Sequence, residues 1–192
     1  MLYRIRPSRP KPRASTLAAS GMAACAILAA PAGHAQSERR VGDFLSIAMP
    51  LATLGTELLR GEWEGASEYA QAFVAGAGAT EVLQRTTHVQ RPDHSNDHGF
   101  PSGHAARAFS SAFYVHRRYG LEYAWPLYGV AVVVGHSRVA AHRHRWSAVA
   151  GSAVVTGAAT WMLVEPRAGS GGVALLPQVG PRSLGVELSA AW

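Results

Sequence analysis

Arg91-Pro92, then Pro101-Ser102-Gly103-His104, then Ser137-Arg138 with His144 six residues past the arginine, follow one another within about 55 residues. Hydrolysis of a phosphate ester needs a fixed positive clamp on the phosphoryl oxygens, an in-line nucleophile, and a proton for the leaving oxygen. Arginine suits the clamp, because its planar fork binds two oxygens at once and keeps its charge at any relevant pH. Arg91 and Arg138 flank the 101–104 block in sequence, so folding can bring them to one phosphate from two directions. Ser102 reads as a helix N-cap, and Gly103 lets the backbone come close to an anion. The free N–H groups and the positive end of the helix dipole then point at that anion. Histidine titrates near neutral pH, which fits His104 and His144 for proton transfer or for attack on phosphorus.

The order RP, PSGH, SR-x5-H resembles that of the type-2 phosphatidic acid phosphatase and vanadium haloperoxidase superfamily. PSGH alone is a weak signal; the three blocks in this order are a specific one. The resemblance implies that Arg91, Ser102, Gly103 and Arg138 bind phosphate oxygens. It makes His104 the general acid for the leaving group, and His144 the nucleophile that forms a phosphohistidine. Two supporting positions depart from the family pattern. The first block, K-x6-RP, puts a lysine where this chain has Gln84, and the third, SR-x5-H-x3-D, puts an aspartate where it has Ala148. Gln84 donates a neutral hydrogen bond but adds no charge, and Arg85 is one residue out of register as a substitute. Ala148 accepts no hydrogen bond through its side chain. The orientation of His144 then falls to another group: Ser147, a backbone carbonyl or water.

These residues predict a phosphatase of the cell envelope acting on a phosphomonoester or lipid phosphate. Gln84 and Ala148 motivate the rival reading, a weak or inactive relative that binds phosphate or anionic lipid without turnover. Vanadate-dependent halide oxidation would use the same oxyanion cradle, but the chain is short for it and lacks the lysine. Neither cofactor nor metal is expected. His94 and His98 beside Asp93 and Asp97, with His142 nearby, are the types that ligate metals, but metal sites usually hold their ligands rigidly on helices or strands. Residues 86–100 read instead as a polar loop. His88, His116 and His136 read as core-edge or surface groups, His136 at the pocket edge because it precedes Ser137.

Composition sets the compartment. The formal charge is +6 over 192 residues, but Arg4, Arg6, Arg9, Lys11 and Arg13 account for five positive charges with no acid before residue 37. The rest carries 13 basic groups against 12 acidic ones, too small an excess to drive binding to a nucleic-acid backbone. The basic stretch, the apolar run from Ala14 to Ala30 and the small residues Gly33 and Ala35 read as a secretory leader cleaved after Ala35. An uncleaved anchor and a lipoprotein site at Cys25 are the alternatives. Loss of the leader removes the single cysteine, so packing rather than a disulfide must stabilise the exported chain, in the periplasm or on a membrane facing it.

Helical periodicity fills residues 36–168, an all-α bundle of about five helices. They are read at 41–60, 67–85, 102–119, 123–139 with Pro126 in the first turn, and 146–164. The fifth has nineteen residues without a charge and is rich in Gly, Ala, Ser and Thr. It suits equally a membrane span and the buried centre of a soluble bundle. Gly169-Ser170-Gly171-Gly172 reads as a joint, and the period-two alternation over 183–192, facing 173–176, predicts a small C-terminal β-hairpin.

Overall fold

The computed structural model describes residues 35–167 and the segments 173–180 and 183–190. The leader ahead of residue 35, with Cys25, and the glycine joint at 169–172 lie outside the described residues. Five helices follow one another: α1 Ala35–Leu59, α2 Trp63–Thr87, α3 Gly103–Tyr119, α4 Leu121–Ala140 and α5 Trp146–Leu163. Val173–Gly180 (β1) and Ser183–Ala190 (β2) run antiparallel, with Val173 opposite Ala190 and Gly180 opposite Ser183.

The five helices match the periodicity closely, with differences at their starts. α1 begins six residues and α2 four residues earlier than their apolar stripes: α1 through the polar turn at 36–39, and α2 through a first turn whose small Gly65 and Ala66 are buried without adding a large apolar side chain. α4 opens at Leu121, so Pro126 falls inside the helix rather than in its first turn.

The centre of the bundle is α3, not α5. α3 packs against all four other helices, and its small side chains make that possible. Ala105, Ala106, Ala108, Ser111 and Ala112 are all almost fully buried, and without bulk there four neighbours can approach at once. One core cluster gathers Met49, Phe109, Val134 and Val149 around Ala105 and Ala108. A second joins Tyr69, Ala72, Tyr114 and Val164 at the other end, near the Arg118–Glu68 ion pair of 2.8 Å. In α5 the small and polar residues Ser152, Thr156, Gly157 and Thr160 are buried. Val154 and Met162 face outward. Among the described residues α5 alone is long and apolar enough to cross a membrane, and only a third of it is buried.

Candidate active site

α3 opens on the site. Ser102 is its N-cap, and its side chain accepts from the Ala105 N–H at 3.5 Å. α5 fixes this corner. The Ser102 N–H donates to Ser152 Oγ at 2.8 Å and approaches the Ala148 carbonyl at 3.2 Å. The Ser152 hydroxyl lies 2.8 Å from the carbonyls of Ser102 and Ala148, either of which can accept its proton. Ser102 is therefore fully buried and its amide is engaged within the protein. The next first-turn N–H groups, those of Gly103 and His104, are the ones helix geometry leaves without an intrahelical partner.

The loop between α2 and α3 is tied to the turn after α4. The Asp93 N–H donates to the His142 carbonyl at 3.1 Å, and Arg143 Nε pairs with Asp93 at 3.2 Å. Inside the loop, the Gly99 N–H donates to the Val89 carbonyl at 2.6 Å. A Cβ on Gly99 would lie 2.6 Å from that same oxygen, so glycine is required by the close approach. The Gly99 carbonyl in turn stands 3.0 Å from Nδ1 of His144. A carbonyl only accepts, so Nδ1 carries the proton and Nε2 keeps its lone pair. Burial, with Arg91 and Arg138 nearby, lowers the His144 pKa against the opposing pull of the Gly99 carbonyl, and the ring is neutral near pH 7.

Arg138, at the end of α4, is almost fully buried. Its Nε donates to Ser137 Oγ at 3.1 Å, its Nη2 to the Arg39 carbonyl at 2.8 Å, and its Nη1 to Asp43 Oδ1 at 2.6 Å. The same Asp43 oxygen lies 3.0 Å from Nε2 of His104. Desolvation first, then Arg138 and Arg107, push the His104 pKa down to about 4, and Asp43 partly offsets them. α1 delivers this carboxylate by packing its backbone onto α4. A Cβ on Gly42 would fall 1.9 Å from Ser137 Oγ, so only glycine allows the approach.

Arg91, His104, Arg138 and His144 thus form one electrostatic neighbourhood: His144 is influenced by both arginines, and His104 by Arg138 and His144. Gln84 sits at the rim with its Nε2 donating to the Pro101 carbonyl at 2.6 Å, beside Gly103. Arg85 faces away, in an exposed ion pair with Glu81 at 2.7 Å. Ser147 is exposed, and a backbone carbonyl, not Ser147, meets His144. His88 pairs with Asp97 at 3.0 Å on the exposed loop, His116 shares a hydrogen bond with Tyr128, and His136 leans on Trp146. Among the described residues no group of three or more His, Cys, Asp or Glu is arranged to hold a metal ion.

Sequence reasoning missed Asp43, Gly99 and Arg107. Asp43 carried no apolar signal: Ser46 and Pro50, which share its inward side, form no apolar stripe, and the apolar residues Phe44, Ile47 and Leu51 face outward. Gly99 carried little, because a carbonyl acceptor has no sequence signature.

The helical bundle thus gathers two arginines, two histidines and a helix N-terminus at one corner. The profile of the PAP2 superfamily matches residues 68–167, just over half of the chain, and the chain belongs to that superfamily. It is also 30% identical over 115 residues to the lipid A 4'-phosphatase of Helicobacter pylori (strain J99 / ATCC 700824), a match that covers 54% of this chain and 58% of that relative. No solved structure gives a significant match. α1, with Asp43, lies ahead of the matched segment.

Proposed function

We propose that this protein is a phosphatase of the cell envelope that hydrolyses a lipid phosphate. The observation that carries the reading is the position of Asp43 Oδ1. One anionic oxygen is held at once by the buried clamp arginine, at 2.6 Å, and by His104, at 3.0 Å. A phosphate oxygen bound there would sit between a fixed cation and a proton donor, with the neutral His144 ring beside it.

In the reaction, Arg138 and Arg91 hold the phosphoryl oxygens, helped by the first-turn amides of α3. Nε2 of His144 attacks phosphorus, the N–P bond forms, and the P–O bond to the alcohol breaks. The leaving oxygen takes its proton from protonated His104, whose pKa a bound dianion raises. Water then attacks the phosphohistidine, giving its proton to His104, and inorganic phosphate leaves as the N–P bond breaks. No metal or cofactor enters these steps.

A lipid substrate is supported by the relative's printed activity and by the surroundings of the clamp. On α1, Val41, Phe44, Ile47 and Leu51 expose apolar side chains next to Asp43, a surface suited to acyl chains or to a bilayer. The basic, then apolar, first 35 residues support export, after which residues 36–168 act as the catalytic domain.

The purified protein should release inorganic phosphate from a chromogenic phosphate ester and from a lipid phosphate in mixed micelles. Vanadate should inhibit both, and His144→Ala should abolish both. Phosphate binding without release by the wild type would replace the enzyme by the binding-only reading, which the departures at Gln84 and Ala148 motivate. Extraction from membranes by detergent but not by high salt would support the lipid-facing role of α1.

A further inference from the structure

One arginine in this pocket belongs to none of the three sequence blocks. Arg107 lies three residues after His104 on α3, so the two side chains share one face of the helix. Its guanidinium is partly withdrawn from solvent. Nε is fully buried and has no hydrogen-bond partner among the described residues. A buried, unpartnered N–H on a cation is costly, and in a native protein such a group calls for a ligand. The carboxylate that acts on it is Asp43, the same one that bridges Arg138 and His104. Arg107 in turn acts on His104. At the position where the family pattern carries a lysine, Gln84 brings no charge and spends its N–H on the Pro101 carbonyl, beside Gly103.

We propose that Arg107 is a third phosphate-binding cation of this site, taking an oxygen of the substrate's phosphoryl group beside Arg138 and supplying from α3 the charge that Gln84 lacks. The inference rests on the phosphate-site reading above and deepens it. Asp43 now stands where the phosphate would stand, paired with Arg138 and acting on Arg107 only through its charge. When a dianion replaces it, the Arg107 fork gains the acceptor it is without.

The test is binding of inorganic phosphate and of vanadate by calorimetry, with steady-state hydrolysis alongside, in wild type, Arg107→Gln, Arg107→Lys and the double variant Gln84→Lys/Arg107→Gln. Loss of one charged hydrogen-bond donor should weaken phosphate roughly ten- to hundredfold in Arg107→Gln. Arg107→Lys should recover part of the loss. Gln84→Lys should rescue the Gln variant by a larger factor than it improves the wild type, because the two cations serve one ligand. A merely structural arginine predicts the reverse: unchanged phosphate affinity in Arg107→Gln and no selective rescue by a lysine at 84. That result overturns the proposal. Should Arg107→Gln not fold, Arg107→Lys decides alone, since weaker phosphate binding at an unchanged melting temperature supports the role and unchanged binding overturns it. If the wild type binds neither phosphate nor vanadate, the phosphate-site reading itself fails, an outcome distinct from a wild type that binds and an Arg107→Gln that binds equally well.

Discussion

Asp43 and Arg138 form an ion pair of 2.6 Å between α1 and α4, and the carboxylate oxygen that makes it is also 3.0 Å from His104. Within a phosphate site this is an internal anion on the clamp, delivered by a helix that lies outside the superfamily match. On the reading proposed above, substrate and Asp43 would compete for the same donors, and the affinity for phosphate would be the difference between two ion pairs rather than the strength of one.

Asp43→Asn should therefore tighten inorganic phosphate. The amide keeps the shape but loses the charge that competes with and repels the dianion. A gain of about tenfold in affinity, equivalent to about 1.4 kcal/mol, is the expected outcome by calorimetry. Weaker binding would mean instead that Asp43 holds Arg138 and His104 in their working positions.

Restoring the family aspartate should not help. Nδ1 of His144 is already met by the Gly99 carbonyl at 3.0 Å. Ala148 is buried, with its own carbonyl engaged by the Ser102 N–H. Ala148→Asp adds a carboxylate to a full, desolvated corner, and turnover and melting temperature should both fall. A tenfold rise in kcat would show that the Gly99 carbonyl orients His144 poorly.

How much of this was readable beforehand depends on which groups do the work. The five helices were legible from the helical period of their apolar residues, although on α1 that stripe, with Phe44, Ile47 and Leu51, faces outward rather than into the bundle, and Ser102 as N-cap was legible from the polar loop ahead of it. The choice of α3 as the centre was not. Both α3 and α5 are rich in small residues, and only the packing shows which one is surrounded. The neighbourhood of Arg91, His104, Arg138 and His144 was legible because side chains with distinctive chemistry carry it. The partner of His144 was not, since it is a main-chain oxygen held in place by a glycine that tolerates contact with Val89. Asp43 reaches the site from some 60 residues before His104 in sequence, through the gap left by Gly42, and no local pattern states that contact.

His104 should matter in proportion to how badly the leaving group needs a proton. With a nitrophenyl phosphate the departing oxygen is already a stable anion, and His104→Ala should cost about tenfold or less. With an alkyl or lipid phosphate the same change should cost about a hundred- to thousandfold. A plot of log kcat/KM against leaving-group pKa should be steeper for the variant than for the wild type. Parallel lines would remove His104 from the role of general acid and leave it as a binding group.

The two histidines also fix a dependence of stability on pH. Desolvation leads in lowering both, His104 to about 4 from an ordinary 6.5. For His104, Arg138 and Arg107 add to the effect and Asp43 opposes it. In the unfolded chain each ring takes up a proton near pH 6.5, while in the folded protein both take it up at lower pH, His104 not until about 4. Between about 6.5 and 4 the unfolded state therefore binds more protons, and stability falls as the solution is acidified through that window. About a third of the His104 ring is exposed, so solvent screening reduces its share to about 1–2 kcal/mol. Thermal melts of wild type and His104→Gln from pH 7 to pH 4 should diverge, the variant losing less of its melting temperature on acidification because it has no ring to protonate. Identical slopes in the two proteins would show that His104 is not held neutral by its surroundings, and with it would go the account of Arg107 and Arg138 pressing on that ring.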